Sequence, residues 1–214
     1  MEHINIIIAV ISVHMLAVSS PGPDFFLEIK NTLQYSLKIG IYTGLGFALG
    51  NIFHISYSIF GVQYLKNNDH LMNVVQLLGA IYIIYIGLKA IGIINTKLKV
   101  KTKNNVETSK NEITIFEAVK MGIITNLLNA KSALYFVSIF TVMIPTSTPS
   151  SVVLIIGLVM IIITFIWFSL VAYFFTKPKI RSIYLKQEGM INKILGSVLI
   201  FFGLKLIWGL VFSI

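Results

Sequence analysis

The chain contains no cysteine, which excludes disulfides, thiol redox chemistry and thiolate metal sites. Charge is scarce as well. Only 12% of the 214 residues are Asp, Glu, Lys or Arg, against about 25% in a typical soluble domain. There is no Gly-x-Ser-x-Gly, no HExxH, no phosphate loop, and no Ser/Lys or Asp/Asp pair at helix-face spacing. No enzyme constellation and no intrinsic ATP drive is therefore encoded. The four histidines have no HxxxH or HxH spacing, so neither a metal nor a cofactor is expected. A basic n-region is missing before the first apolar run, where Glu2 and His3 stand. That run is expected to remain as a permanent helix.

What is present is apolar. Hydrophobic residues make up 56% of the chain, in long continuous runs rather than alternating ten-residue strands. The reading is an all-α integral membrane protein in a lipid bilayer. The net charge of +9 could suggest nucleic acid, but the basic residues fall in short stretches between apolar runs. Cytoplasmic lysines that set orientation explain them more simply, and no nucleic-acid partner is expected.

Six transmembrane helices can be drawn, each needing roughly 20 apolar residues. They cover about 4–20, 38–65, 70–94, 115–143, 150–176 and 190–213. The first loop holds Lys30 and Lys38. The third holds Lys97, Lys99, Lys101, Lys103 and Lys110, and the fifth Lys177, Lys179, Arg181 and Lys186. The second holds only Lys66 and the fourth no charge. Odd-numbered loops are thus expected in the cytoplasm, with both termini outside.

A polar loop at 95–114 divides the chain into a first three-helix repeat, 1–94, and a second, 115–214. Leu78-Gly79 through Gly87-Leu88-Lys89 matches Leu195-Gly196 through Gly203-Leu204-Lys205, with one residue of slip. That match is low in complexity, and chance is its plain alternative. A second correspondence strengthens it: the first span is interrupted at 20–24 and the fourth at 129–132. Halves with an odd number of spans must be inverted repeats, an arrangement in which broken helices build a central transport site.

The first interruption is Ser20-Pro21-Gly22-Pro23-Asp24. Each proline removes a backbone donor and disfavours helix in the residue before it. Irregular backbone and an acid at membrane depth are tolerated where protein or a water-filled cavity surrounds them. The Asp24 carboxylate could pair with a substrate ammonium or take a proton; it could equally cap a helix beginning at Phe25. The second interruption holds Asn126, Asn129 and Lys131. A lysine this far into a span is expected to face a polar interior, binding a carboxylate or pairing with Asp24, unless it snorkels. Asn51 and His54 stand about one turn apart on the second span and could line a proton pathway or simply bond another helix. His14 is a weaker candidate. Gly40/Gly44 and Gly46/Gly50 are small-xxx-small pairs, fit to pack within the monomer or against a second copy in a homodimer.

These blocks, with Asn31-Thr-Leu, Leu78-Gly79-Ala-x-Tyr82 and Gly122-x3-Asn126-x2-Asn129-x-Lys131-x4-Phe136, resemble the LysE/RhtB family over nearly the whole chain. The resemblance implies six helices that export amino acids or close derivatives across the bacterial inner membrane, driven by the proton-motive force. The family's second block usually reads Asn-Pro-Lys; here it is Asn129-Ala130-Lys131. Without that helix breaker, the fourth span is expected to be less interrupted than the first. The family often has an acid where Asn51 stands. The leading expectation is a secondary exporter with Pro21, Gly22, Pro23, Asp24, Asn126, Asn129 and Lys131 at the substrate. A non-transporting scaffold or helper subunit of the same fold is the alternative.

Overall fold

The computed structural model describes residues 2–65, 68–93 and 113–212. Within these are eight helices: α1 Glu2–Ser19, α2 Pro23–Gln34, α3 Leu37–Leu65, α4 Asp69–Ala90, α5 Ile115–Leu127, α6 Ala130–Val142, α7 Ser150–Phe175 and α8 Pro178–Phe212. Four stretches are long and apolar enough to cross a membrane alone: Leu37–Val62, His70–Ala90, Ser150–Phe175 and Lys186–Leu210. Two bent pairs, α1 with α2 and α5 with α6, reach that standard only together, which gives four to six crossings.

Local chemistry explains the ends. Thr114 and Glu117 form a reciprocal capping box at the start of α5. Asn68 caps α4 through the Leu71 amide. Pro23 occupies the first turn of α2, where a missing N–H costs nothing.

Glycines set the helix register. α3 and α5 run parallel, with Gly46 against Gly122 and Gly50 against Asn126. A Cβ on Gly46 would stand 2.8 Å from the Gly122 Cα, so the backbones touch only because both side chains are absent. α4 and α8 run antiparallel, with Gly87 against Gly196 and Ala80 against Gly203. α3 and α7 are also antiparallel, Gly44 meeting Phe168 and Gly157 meeting Ile55.

One core cluster gathers Val10, Val13, Ile83, Phe136, Ile139 and Met160; a second gathers Phe25, Phe47, Phe168 and Phe175. Large apolar side chains also cover the outside, among them Phe60, Leu158 and Phe201. That suits a surface meeting lipid rather than water.

Two segments read as loops are helical. Lys30 lies on α2, and Lys179, Arg181 and Lys186 lie on α8, which begins twelve positions before the expected sixth span. Hydropathy measures the apolar length of a helix, whereas these turns continue in a polar setting. Lys66 and the lysines from 97 to 110 lie outside the described residues.

Candidate functional site

Both bends meet at one place. In the first, Gly22 is the extended N-cap of α2, Pro23 follows, and Asp24 enters the first helical turn. Asp24 is therefore not the cap. Its carboxylate is buried and accepts from the Asn126 amide at 2.9 Å and the Asn129 amide at 3.0 Å. It also lies at the positive end of the α2 dipole.

In the second bend, Leu128 closes α5 and Asn129 caps α6 by accepting from the Lys131 amide at 3.0 Å. The α5–α6 bend is 61° and the α1–α2 bend 58°. The expectation that the fourth span is less interrupted does not hold. A side-chain cap ends one helix and starts the next without any proline.

Lys131 does not take the role of a partner bonded to Asp24. Its ammonium donates to the carbonyls of Ala17 at 3.0 Å and Ser20 at 2.6 Å, at the end of α1. A cation at a helix C-terminus offsets unsatisfied carbonyls and the negative dipole end. Acid and base thus each sit against the helix terminus of opposite sign.

Asn51 and His54 reach the same place through other helices. The His54 Nε2 faces the Asn126 carbonyl at 2.9 Å and so donates, while Nδ1 meets the Tyr57 hydroxyl at 2.7 Å. Asn51 donates to Thr164 Oγ1 at 2.8 Å. Sequence reasoning underrated His14 and missed Tyr135 and Thr164. His14 is buried between them, 3.2 Å from the Tyr135 hydroxyl and 3.0 Å from Thr164 Oγ1. These contacts join positions more than a hundred residues apart, which no local pattern can pair.

Asp24, Asn51, Asn126, Lys131 and His14 line a cavity of about 40 Å³. That is room for water but not for an amino acid. Beside it opens a cleft of about 530 Å³, with Pro21, Pro23, Tyr82, Tyr85, Lys89 and Glu188 on its walls. Ser20, Gly22, Asn129 and Lys131 border both. The bends therefore form the partition between a polar inner chamber and a larger outer one. Asn126 Oδ1 remains buried without a partner, an acceptor unused at the site. Among the described residues, no group of three or more His, Asp or Glu side chains could hold a metal ion.

The family model for LysE type translocators matches residues 15–209, spanning both bends and, of the site residues just described, all but His14. The chain belongs to the LysE family. Among its relatives is the threonine efflux protein of Escherichia coli K12, 26% identical over 202 residues, covering 94% of this chain and 96% of the relative. An uncharacterized membrane protein of Haemophilus influenzae is 28% identical over 200 residues, covering 92% and 94%. YahN, an uncharacterized membrane protein of Escherichia coli K12, is 22% identical over 211 residues, covering 97% and 92%. No solved structure matches the chain. At family level this LysE protein is a multi-pass membrane transporter for amino-acid export.

Proposed function

We propose that this protein exports an amino acid or close derivative across the bacterial inner membrane, driven by the proton-motive force, with threonine as the first substrate to test. The observation that carries the reading is the pair of opposite charges, Asp24 and Lys131, lining one buried cavity without a hydrogen bond to each other. A zwitterion has the complementary pair. Its ammonium would take the Asp24 carboxylate and the free Asn126 acceptor, and its carboxylate would draw Lys131 from the α1 carbonyls. Pro21, Gly22 and Pro23 would let the first bend open between the outer cleft and the inner chamber. Asn51 and His54 would line the polar route behind Asn126. The threonine efflux relatives support the substrate class.

In this reading each bent pair is one crossing, which gives six. α5 runs parallel to α3, and α6 antiparallel to α4, with Gly79 on Ser138 and Gln76 bonded to the Thr141 carbonyl. If α3 and α4 are consecutive crossings, α5 and α6 advance in one direction. Residues 1–94 and 115–214 would then be inverted repeats. The segments matched between the halves pack head to tail, Gly87 on Gly196 and Gly203 on Ala80, as a two-fold relation requires. Odd-numbered loops would be cytoplasmic, with both termini outside.

Counterflow in proteoliposomes tests the function. Labelled threonine, and a panel of other amino acids, should accumulate against unlabelled internal substrate. Silence across the panel would remove the exporter reading and favour a scaffold.

A further inference from the structure

The inward face of α2 carries more than Asp24. Glu28, Asn31 and Thr32 are buried along it, so that Asp24, Glu28 and Thr32 form a file at four-residue spacing. Glu28 is fully buried, and neither carboxyl oxygen has a hydrogen-bond partner. Asn31 Oδ1 and Thr32 Oγ1 beside it are also buried without partners. Asn31 spends its amide on Thr43 Oγ1 at 3.0 Å, and Thr43 in turn donates to the Ile39 carbonyl.

The slot that holds this carboxyl is cut into α3. A Cβ on Gly40 would stand 3.2 Å from Glu28 Oε1 and collide with Thr32 Oγ1; one on Gly44 would stand 3.7 Å from Oε2. Phe168 and Ala172 of α7 close the same slot. Ionisable groups on the surrounding helices do not hydrogen-bond to it. They are Asp24 and exposed Lys30 on α2; Lys38, Tyr42, His54, Tyr57 and Tyr64 on α3; exposed Glu117 and Lys120 on α5; and exposed Tyr173 on α7. Tyr184 of α8 packs on Phe25.

An ionised carboxylate without donors is an uncompensated charge and is costly to bury. A carboxylic acid carries no charge and avoids that cost, and the oxygens of Asn31 and Thr32 on the same buried face are unused. The four free oxygens fall short of the six that hard divalent cations take. The chemistry fits a proton.

We propose that Glu28 binds the coupling proton, one turn along α2 from the substrate site. This rests on the export reading above. Asp24, one turn before Glu28 in the same file, lines the water-sized chamber, which makes that chamber the source of the proton. The carboxylate formed on its release then drives the site back toward reloading.

The full-length protein in liposomes tests this with two assays, counterflow at equal pH and accumulation driven by a pH gradient. Glu28→Gln should keep counterflow within about twofold of wild type and lose gradient-driven accumulation at least tenfold. Glu28→Asp, which retains a carboxyl, should keep part of the gradient-driven transport. Wild-type protein treated with a hydrophobic carbodiimide, a reagent for protonated buried carboxyls, should carry an adduct at Glu28. Gradient-driven accumulation that survives Glu28→Gln overturns the proposal, as does the absence of an adduct at Glu28. A sodium gradient that drives wild-type transport, while a pH gradient does not, reassigns the site to sodium and overturns it too. Wild-type silence in counterflow sinks the export reading instead, a result distinct from all of these.

Discussion

The Asn126 side chain donates to the Asp24 carboxylate at 2.9 Å across 102 positions of sequence, tying the first turn of α2 to the end of α5. The backbone carbonyl of the same asparagine meets His54 of α3. A single residue thus holds three helices around one acid, and the acid is where loss of charge should be felt most. Asp24→Asn keeps the shape but has one acceptor oxygen where the carboxylate uses two, so one charge-assisted bond becomes neutral and the other is lost to a facing amide donor; a hydrogen bond to a charged group is worth about 1.5–3 kcal/mol. Counterflow should fall about tenfold or more, while the yield of monodisperse protein stays near wild type. Transport at the wild-type rate would remove Asp24 from the substrate site.

Asn129 has two tasks that separate experimentally. Its Oδ1 caps α6 and its Nδ2 donates to Asp24. Asn129→Ala loses both and should cost about 1 kcal/mol from the cap alone. Asn129→Ser keeps an uncharged capping oxygen but loses the amide that donates to Asp24. It should therefore retain more thermal stability than the alanine variant while transporting no better. Thermal melting in detergent, run beside counterflow, tells the two tasks apart; equal melting of both variants would mean the cap contributes little.

The crossing of α3 and α5 predicts which glycines are indispensable. Gly46→Leu must displace the backbone of Val119, Gly122 and Ile123. Backbone cannot yield as a flexible side chain can, and overpacking of this kind costs about 1–3 kcal/mol or more. The variant should be lost from the monodisperse fraction on size exclusion. Gly61→Ala meets nothing within 4 Å and should behave as wild type. Equal yields for both would show that the close crossing is not required.

Much of this architecture was legible because membrane spans announce themselves by length and apolarity. The runs read at 38–65 and 150–176 lie within a residue of α3 and α7. Pro21-Gly22-Pro23 marked its bend through missing donors, and Asn126, Asn129 and Lys131 marked theirs as polar residues in an apolar run. The extended start of α8 was not legible, because lysines there read as loop although the helix continues. His14, Tyr135 and Thr164 gave no local signal, since only helix packing brings them together. Glu28 sat in what looked like a basic loop. Its four-residue spacing from Asp24 was the one available sign, and it gains meaning only once α2 is known to be a helix turned inward.

The missing proline at residue 130 offers the sharpest check on how the second bend is made. Asn129 has φ −79° and ψ 99°, outside the helical region that a following proline disfavours. Residue 130 is the first position of α6, where proline's absent N–H breaks no intrahelical bond. The bend is therefore already shaped for a proline and is held without one by the Asn129 cap. On that backbone Ala130→Pro should stabilise the protein by about 0.4–1 kcal/mol by restricting the unfolded chain. For a chain of this size that is a rise of about 1–4 °C in Tm. Counterflow should remain within about twofold of wild type. A marked fall in Tm would mean that the chain at residue 130 needs its N–H or a different backbone, and that the second bend is not the counterpart of the first.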